Sequence, residues 1–321
     1  MLTIVIPTHD TRELTLECLA SLAGGGAPSR QTIVVDDGSR DGTAETVRER
    51  HPEAVVLRSP APTGFSRAAN RGLRAASGEL VLLLNSDTRV DPGALARLDA
   101  AFRDAPDLGV AGARLAYPDG RPQWSHGREP DLLWFFLVGS GWTRWPWRWR
   151  WYRRLRRRAD LRGSPAVPSP AGARPTGWVA GAALALRRAV LDEVGGFDEG
   201  FAVYAQDLDL CVRARQAGWQ VAYLPAVRVV HHHGVSVAAA HGEGALDRLN
   251  PVLLWTDLLR WAAKRHGRAW ARRAERALRA GARLRLLGLR FAARAGRHRG
   301  TAPGREIELL RRALAEARRP D

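Results

Sequence analysis

Five apolar residues run without a break from Leu80 to Leu84 and stop abruptly at Asn85, Ser86 and Asp87. The run is too short to span a membrane. It fits a strand buried on both faces, the kind found at the centre of an α/β sheet. A carboxylate just beyond the carboxyl end of such a strand sits where open α/β sheets bind their ligands. Asn85 and Asp87 are two apart, so in extended chain they point the same way. An oxygen pair with that spacing suits a hard divalent cation carrying a diphosphate. The competing reading is a buried strand followed by a polar turn, and this stretch alone leaves both open.

The chain around it alternates strand and helix patterns. Residues 2–6, 32–35, 54–57 and 109–113 read as further strands. Residues 11–22, 43–50 and 64–76, and the segment entered at Pro92, read as helices between them. Such alternation implies a largely parallel sheet covered on both faces. The rhythm breaks from Trp124 to Pro175. Seven of the 12 tryptophans lie between Trp124 and Trp151, where WPWRWRWYRRLRRR interleaves indole and guanidinium. A Pro/Gly/Ala/Ser stretch over 163–175 reads as a loop. Order returns with GWVAGAALALRR as a strand, helices over 189–194 and 207–217, and strands over 220–224 and 227–230. Beyond residue 245 the pattern is helical. One apolar stripe holds Leu249, Val252, Leu253 and Leu259, a second Leu284, Leu287 and Phe291, and a third Ile307, Leu310 and Leu314.

Charge separates these parts. The 321 residues carry a formal net charge of +17. The tail from Ala245 holds 20 Lys and Arg against 7 acids, and Arg144–Arg158 holds 8 Arg and no acid, which leaves −4 for the rest. Basic appendages of this kind bind anionic polymers or anionic membrane surfaces. Apolar stripes beside Arg, with Trp255, Trp261 and Trp270 as aromatic anchors, favour a membrane surface over nucleic acid. The competing reading is that the tail helices pack on the domain. Two distant cysteines, Cys18 and Cys211, make no disulfide framework and point to a reducing compartment. The chain enters a strand pattern at Leu2 without a basic, apolar leader, which predicts no signal peptide. No stretch of eighteen apolar residues occurs, so no spanning helix is expected.

Four polar pieces each follow a predicted strand: Pro7-Thr8-His9-Asp10, Asp36-Asp37, Asn85-Ser86-Asp87, and Gln206-Asp207-Leu208-Asp209 with His231 beyond. Around them stand TIVIPTHD, IVVDDGSRDGT, TGFSRAANRGLRAASGELVLLLNSD, GWVAGAALALRR and GGFDEGFAVYAQDLDLCVRARQAGWQVAYLPAVRVVHHHG. In this order and spacing they resemble the large family of inverting GT-A glycosyltransferases that use nucleotide-sugars, in its bacterial rhamnosyltransferase-like branch. A single motif of this length matches by chance, but five in order do not.

The resemblance implies a GT-A fold: α/β, Rossmann-like, with a mostly parallel central sheet, helices on both faces and a basic helical C-terminal extension. It divides the chain into a nucleotide-sugar-binding half over 1–113, a variable basic insert over 114–175, an acceptor-binding half over 176–244 and the tail over 245–321. It implies a donor, most simply dTDP-L-rhamnose, and a lipid-linked or cell-envelope saccharide acceptor, with the enzyme on the cytoplasmic face of the plasma membrane. Position by position it gives nucleotide binding to Pro7, Thr8, Asp36, Asp37, Gly64, Asn70, Asn85 and Ser86. Mg²⁺ or Mn²⁺ falls to Asp87 and His231, with His233 in reserve. The catalytic base is Asp207. Acceptor contacts fall to Trp178, Gly181, Ala182, Gln206 and Asp209, and Asp209 has the alternative task of orienting its helix. Two departures stand out: Asn85 replaces the first acid of the family's metal motif, and Gln206 replaces the acid that often precedes the base. They are what supports the alternative of a non-catalytic sugar-binding scaffold.

Overall fold

The computed structural model describes residues 1–26, 30–141, 172–232, 251–294 and 302–317. The chain divides into two compact units: Met1–Glu129 with Ala166–Glu243, and Pro130–Pro165 with Gly244–Asp321. The Trp/Arg run at 142–158, most of the loop at 163–175, Leu249 and His233 lie outside the described residues.

Among the described residues the first unit is built on one nine-stranded sheet. Strands β3 (Val55–Arg58), β2 (Arg30–Asp36), β1 (Leu2–Thr8) and β4 (Leu80–Leu84) lie side by side and parallel. Next comes β10 (Ala183–Arg187), antiparallel to β4 on one side and to β6 (Leu108–Ala116) on the other. Strand β11 (Gln220–His231) runs parallel to β6, and β5 (Thr88–Val90) closes the edge antiparallel to β11. All five residues of β4 are buried. The reason is the alternation of side chains across a sheet with two covered faces. Ile4, Ile6, Val34, Leu82 and Leu84 enter one core, while Val5, Ile33, Val35, Val81 and Leu83 enter the other. Helices α1 (Arg12–Ser21), α2 (Thr43–Arg50), α3 (Phe65–Ala75), α4 (Ala94–Asp104), α6 (Arg188–Val194) and α7 (Gln206–Gln216) cover these faces.

Three strand expectations need correcting. GWVAGAALALRR is two strands, because β9 (Trp178–Val179) pairs with β7 (His126–Gly127) while β10 pairs with β4. The chain changes sheets at Ala180–Ala182. Conversely, residues 220–224 and 227–230 are one strand, with a register irregularity between Leu224 and Arg228. Pro225, which has no N–H to give a ladder, falls in that irregularity. The loop expected up to Pro175 ends in β8 (Arg174–Pro175), paired with β11.

The second unit is helical: α5 (Leu132–Ser140), α8 (Pro251–His266), α9 (Arg268–Arg294) and α10 (Ala302–Glu316). Asp131 caps α5 by accepting from the Trp134 N–H at 2.7 Å. Trp255 and Trp261 are buried inside this unit, 3% and 0% exposed, so they are core residues and not membrane anchors. Trp270 packs edge-on against Phe135 at 5.8 Å. Helices α5 and α9 meet at two glycines. A Cβ on Gly139 would lie 2.1 Å from the Leu278 carbonyl oxygen, and one on Gly281 2.1 Å from that of Phe136. Gly139→Ala should therefore push the two helices apart. The expected cost is about 1–3 kcal/mol, read as a lowered denaturation midpoint.

Candidate active site

The carboxyl ends of β1, β2 and β4 meet in one network. The Asp37 N–H donates to the Thr8 carbonyl at 2.9 Å. The Thr8 hydroxyl lies 2.9 Å from that of Thr11, which lies 2.9 Å from that of Ser86. Thr15 adds a further buried hydroxyl 2.7 Å from Thr8. These contacts join the loop after β1 to the loop after β4. Pro7 is buried in β1 beside them.

The two acids after β2 have different partners. Asp37 accepts from the Thr63 N–H, the Thr63 hydroxyl and the Gly64 N–H at 2.7–2.9 Å. It thereby holds the entry to α3, where Gly64 takes φ +97, a conformation that favours glycine. Asp36 is fully buried and accepts from the Ser39 N–H at 3.0 Å. Its other oxygen lies 3.4 Å from Arg58 Nε, an ion pair without hydrogen-bond geometry. Asn70 stands apart from this rim. Its Nδ2 donates to the Phe197 carbonyl and the Glu199 carboxylate, and its Oδ1 accepts from the Phe197 N–H. In this arrangement Asn70 is a staple for the Gly196–Glu199 loop.

Beyond β4, Asp87 is 1% exposed and its Oδ1 lies 3.3 Å from His231 Nε2. Asn85 Nδ2 is 3.5 Å from the same nitrogen, and Asn85 Oδ1 is buried without a hydrogen-bond partner. Pairing of β5 with β11 sets this meeting, because His231 is in register with Thr88. Two electron-pair donors this close require a cation between them, either a proton or a metal. Carboxylate and imidazole are a donor pair that would suit Mn²⁺ or Mg²⁺. Among the described residues no group of three or more His, Cys, Asp or Glu that could hold a metal ion occurs.

Asp207 opens α7. The residue two before it, Ala205, takes φ +65, which a non-glycine residue adopts only under strain. Asp207 accepts from the Gly181 N–H at 2.9 Å and the Leu208 N–H at 2.8 Å. Desolvation still pushes its pKa above the ordinary carboxylate value, against those two hydrogen bonds. The next peptide carbonyl after Gly181, that of Ala182, accepts from the Asn85 N–H at 3.0 Å. Gln206 donates to the Val203 carbonyl, and its buried Oε1 has no partner. Asp209 pairs with Arg213 at 2.8 Å, and Arg213 ties on to Val194 and Gly196. That contact favours the helix-orienting task for Asp209. Trp178 donates through Nε1 to the Arg128 carbonyl, and Trp124 meets it edge-on at 5.1 Å.

Two residues escaped the sequence reading. Trp124, 59% exposed, joins Trp178. Gln123 holds His231: its Oε1 lies 2.9 Å from His231 Nδ1, and its Nε2 donates to the His231 carbonyl. Both belong to a stretch whose only visible signal was tryptophan content.

Comparison with known proteins places the chain in a family. The family described as glycosyl transferase family 2 matches residues 3–174, and glycosyl transferase family group 2 matches residues 142–271. An N-acetylglucosaminyl-diphospho-decaprenol L-rhamnosyltransferase of Mycobacterium tuberculosis is 31% identical over 289 residues, 82% of this chain and 89% of that protein. A pre-mycofactocin glycosyltransferase of the same organism is 28% identical, over 72% of this chain and 42% of its own length. Among solved structures, a mannosyltransferase from Pyrobaculum calidifontis in complex with GDP-Man and Mn²⁺ superposes with a TM-score of 0.59. It has 18% identity and covers 98% of this chain and 85% of that one. TarS residues 1–349 of S. aureus in complex with UDP-GlcNAc superposes with a TM-score of 0.51 at 17% identity, over 98% of this chain and 81% of that one.

Proposed function

The chain belongs to glycosyl transferase family 2, and from that premise we propose that it transfers L-rhamnose from dTDP-L-rhamnose to a lipid-linked cell-envelope saccharide, with inversion. The enzyme is a nucleotide-sugar-dependent glycosyltransferase with the GT-A fold. The observation that supports the finer reading is the link from Asp207 to Asn85, beside Asp87 and His231, through the adjacent residues Gly181 and Ala182. A single in-line displacement needs a carboxylate to take the acceptor hydroxyl proton. Asp207, held by two N–H groups and made more basic by burial, is suited to that task. A divalent ion held by Asp87 and His231, with Asn85 beside them, would neutralise charge developing on the leaving diphosphate. Asp36, Asp37, Thr8 and Ser86 form the adjoining wall for the nucleotide. Trp178 and Trp124 offer indole faces to an acceptor sugar. The rhamnosyl donor and the diphospho-lipid acceptor are supported by the name of the M. tuberculosis relative.

The reaction is tested with purified protein, dTDP-L-rhamnose, Mg²⁺ or Mn²⁺ and a synthetic N-acetylglucosaminyl-diphospho-prenol. The expected product gains one deoxyhexose, with anomeric configuration opposite to that of the donor. Turnover of another nucleotide-sugar but not this one would overturn the donor assignment.

A lipid-linked acceptor also supports a peripheral site on the inner face of the membrane. No described helix is long and apolar enough to cross a bilayer. On α9, Leu284, Leu287 and Phe291 are 44%, 62% and 72% exposed, and Arg283 and Arg290 are exposed on the same helix. An apolar ridge flanked by guanidinium groups suits an anionic lipid surface, with about 1 kcal/mol of attraction per basic residue. Sedimentation with phosphatidylglycerol vesicles at low salt should capture the protein. Leu287→Glu with Phe291→Glu should release it, and indifference to both the vesicles and the substitutions would sink the docking.

A further inference from the structure

We propose that Gln123 is a positioning residue that fixes the tautomer of His231 and aims its Nε2 lone pair into the cation site. The proposal rests on the reading that Asp87 and His231 hold the metal. Its logic is the donor and acceptor inventory of three groups. The His231 carbonyl can only accept, so the Gln123 amide nitrogen must face it. That leaves the Gln123 amide oxygen, also an acceptor only, against His231 Nδ1 at 2.9 Å. Nδ1 must therefore carry the hydrogen. The neutral ring then has its lone pair on Nε2, the nitrogen 3.3 Å from Asp87 Oδ1 and 3.5 Å from Asn85 Nδ2. One side chain, binding both the ring and the backbone of the same histidine, sets the ring's rotation and its proton together.

Gln123 is itself held. Its backbone N–H donates to the Leu115 carbonyl at 3.0 Å, which attaches the segment to the end of β6. Strand β6 is the parallel neighbour of β11, where Leu115 is in register with Val229 and Ala116 with Val230. The amide thus reaches His231 from an adjoining strand end. Metal-ligating histidines commonly donate their second N–H to an oxygen that orients them, and loss of that partner weakens metal binding about 10–100-fold.

The test compares Gln123→Met with Gln123→Glu. Methionine keeps approximate length but offers no oxygen to Nδ1–H. Glutamate restores the acceptor while abandoning the bond to the His231 carbonyl. Mn²⁺ titration followed by electron paramagnetic resonance, with dTDP or UDP present, gives affinity without catalysis. The ¹⁴N coupling of a bound imidazole gives ligation directly. Gln123→Met is expected to weaken Mn²⁺ about 10–100-fold and reduce the imidazole coupling. Gln123→Glu is expected to stay near the unsubstituted protein in both. Met and Glu variants that lose affinity equally, or a folded Met variant that binds like the unsubstituted protein, would overturn the positioning role alone. Absence of any Mn²⁺ binding by the unsubstituted protein, or binding untouched by His231→Ala, would overturn the metal reading as well.

Discussion

Asp207→Asn is expected to reduce transfer by about 10²–10⁴-fold while leaving nucleotide and metal affinity unchanged, the range general-base catalysis contributes. Asparagine keeps the size and planar shape of the side chain and can still accept from either the Gly181 or the Leu208 N–H. What it cannot do is take a proton. The pH profile supplies an independent check. Burial raises the Asp207 pKa, and only its deprotonated form acts as a base. The kcat/KM of the unsubstituted enzyme should therefore climb with rising pH, through an apparent pKa above the usual carboxylate value. The residual activity of the asparagine variant should lack that limb. A variant that turns over within about tenfold of the unsubstituted enzyme would remove Asp207 from the role, since one such group contributes at least about 10²-fold.

The second large effect is expected from Asp87→Asn, and its signature is the reverse. Loss of the anionic ligand should weaken Mn²⁺ binding and lower kcat/KM by about 10²-fold or more, because charge on the departing diphosphate is then poorly compensated. Asp87 is 1% exposed and faces His231 Nε2 at 3.3 Å, and asparagine keeps the size and shape of the side chain there, so the variant should remain folded. Raising Mn²⁺ should partly restore Asp87→Asn and do nothing for Asp207→Asn. If both respond alike, the division of labour between the two carboxylates is wrong.

The parts legible in the sequence were those governed by short-range rules. The run from Leu80 to Leu84 announced a strand covered on both sides, and the structure buries all five residues. The polar clusters after β1, β2 and β4 met because parallel neighbours end at the same edge. What escaped depended on pairing between remote segments. Gln123 reaches His231 across 108 residues of chain, and no local pattern marks it. GWVAGAALALRR reads as one apolar strand, and only the separate partners of Val179 and Ala183 divide it. Asn70 and Asp209 sit inside matched motifs, yet their hydrogen bonds go to the Gly196–Glu199 loop and to Arg213. A motif reports that a residue matters without saying whether it touches substrate or holds its neighbours. The indoles of Trp255 and Trp261 misled for the opposite reason, since composition alone does not distinguish a membrane anchor from a helix core.

Two adjacent residues, Gly181 and Ala182, bridge the two halves of the proposed site. The Gly181 N–H donates to Asp207 and the Ala182 carbonyl accepts from the Asn85 N–H at the β4 terminus. Their Cα atoms are about 3.8 Å apart by covalent geometry. A substitution that shifts this dipeptide would therefore be felt at Asp207 and at Asn85 together.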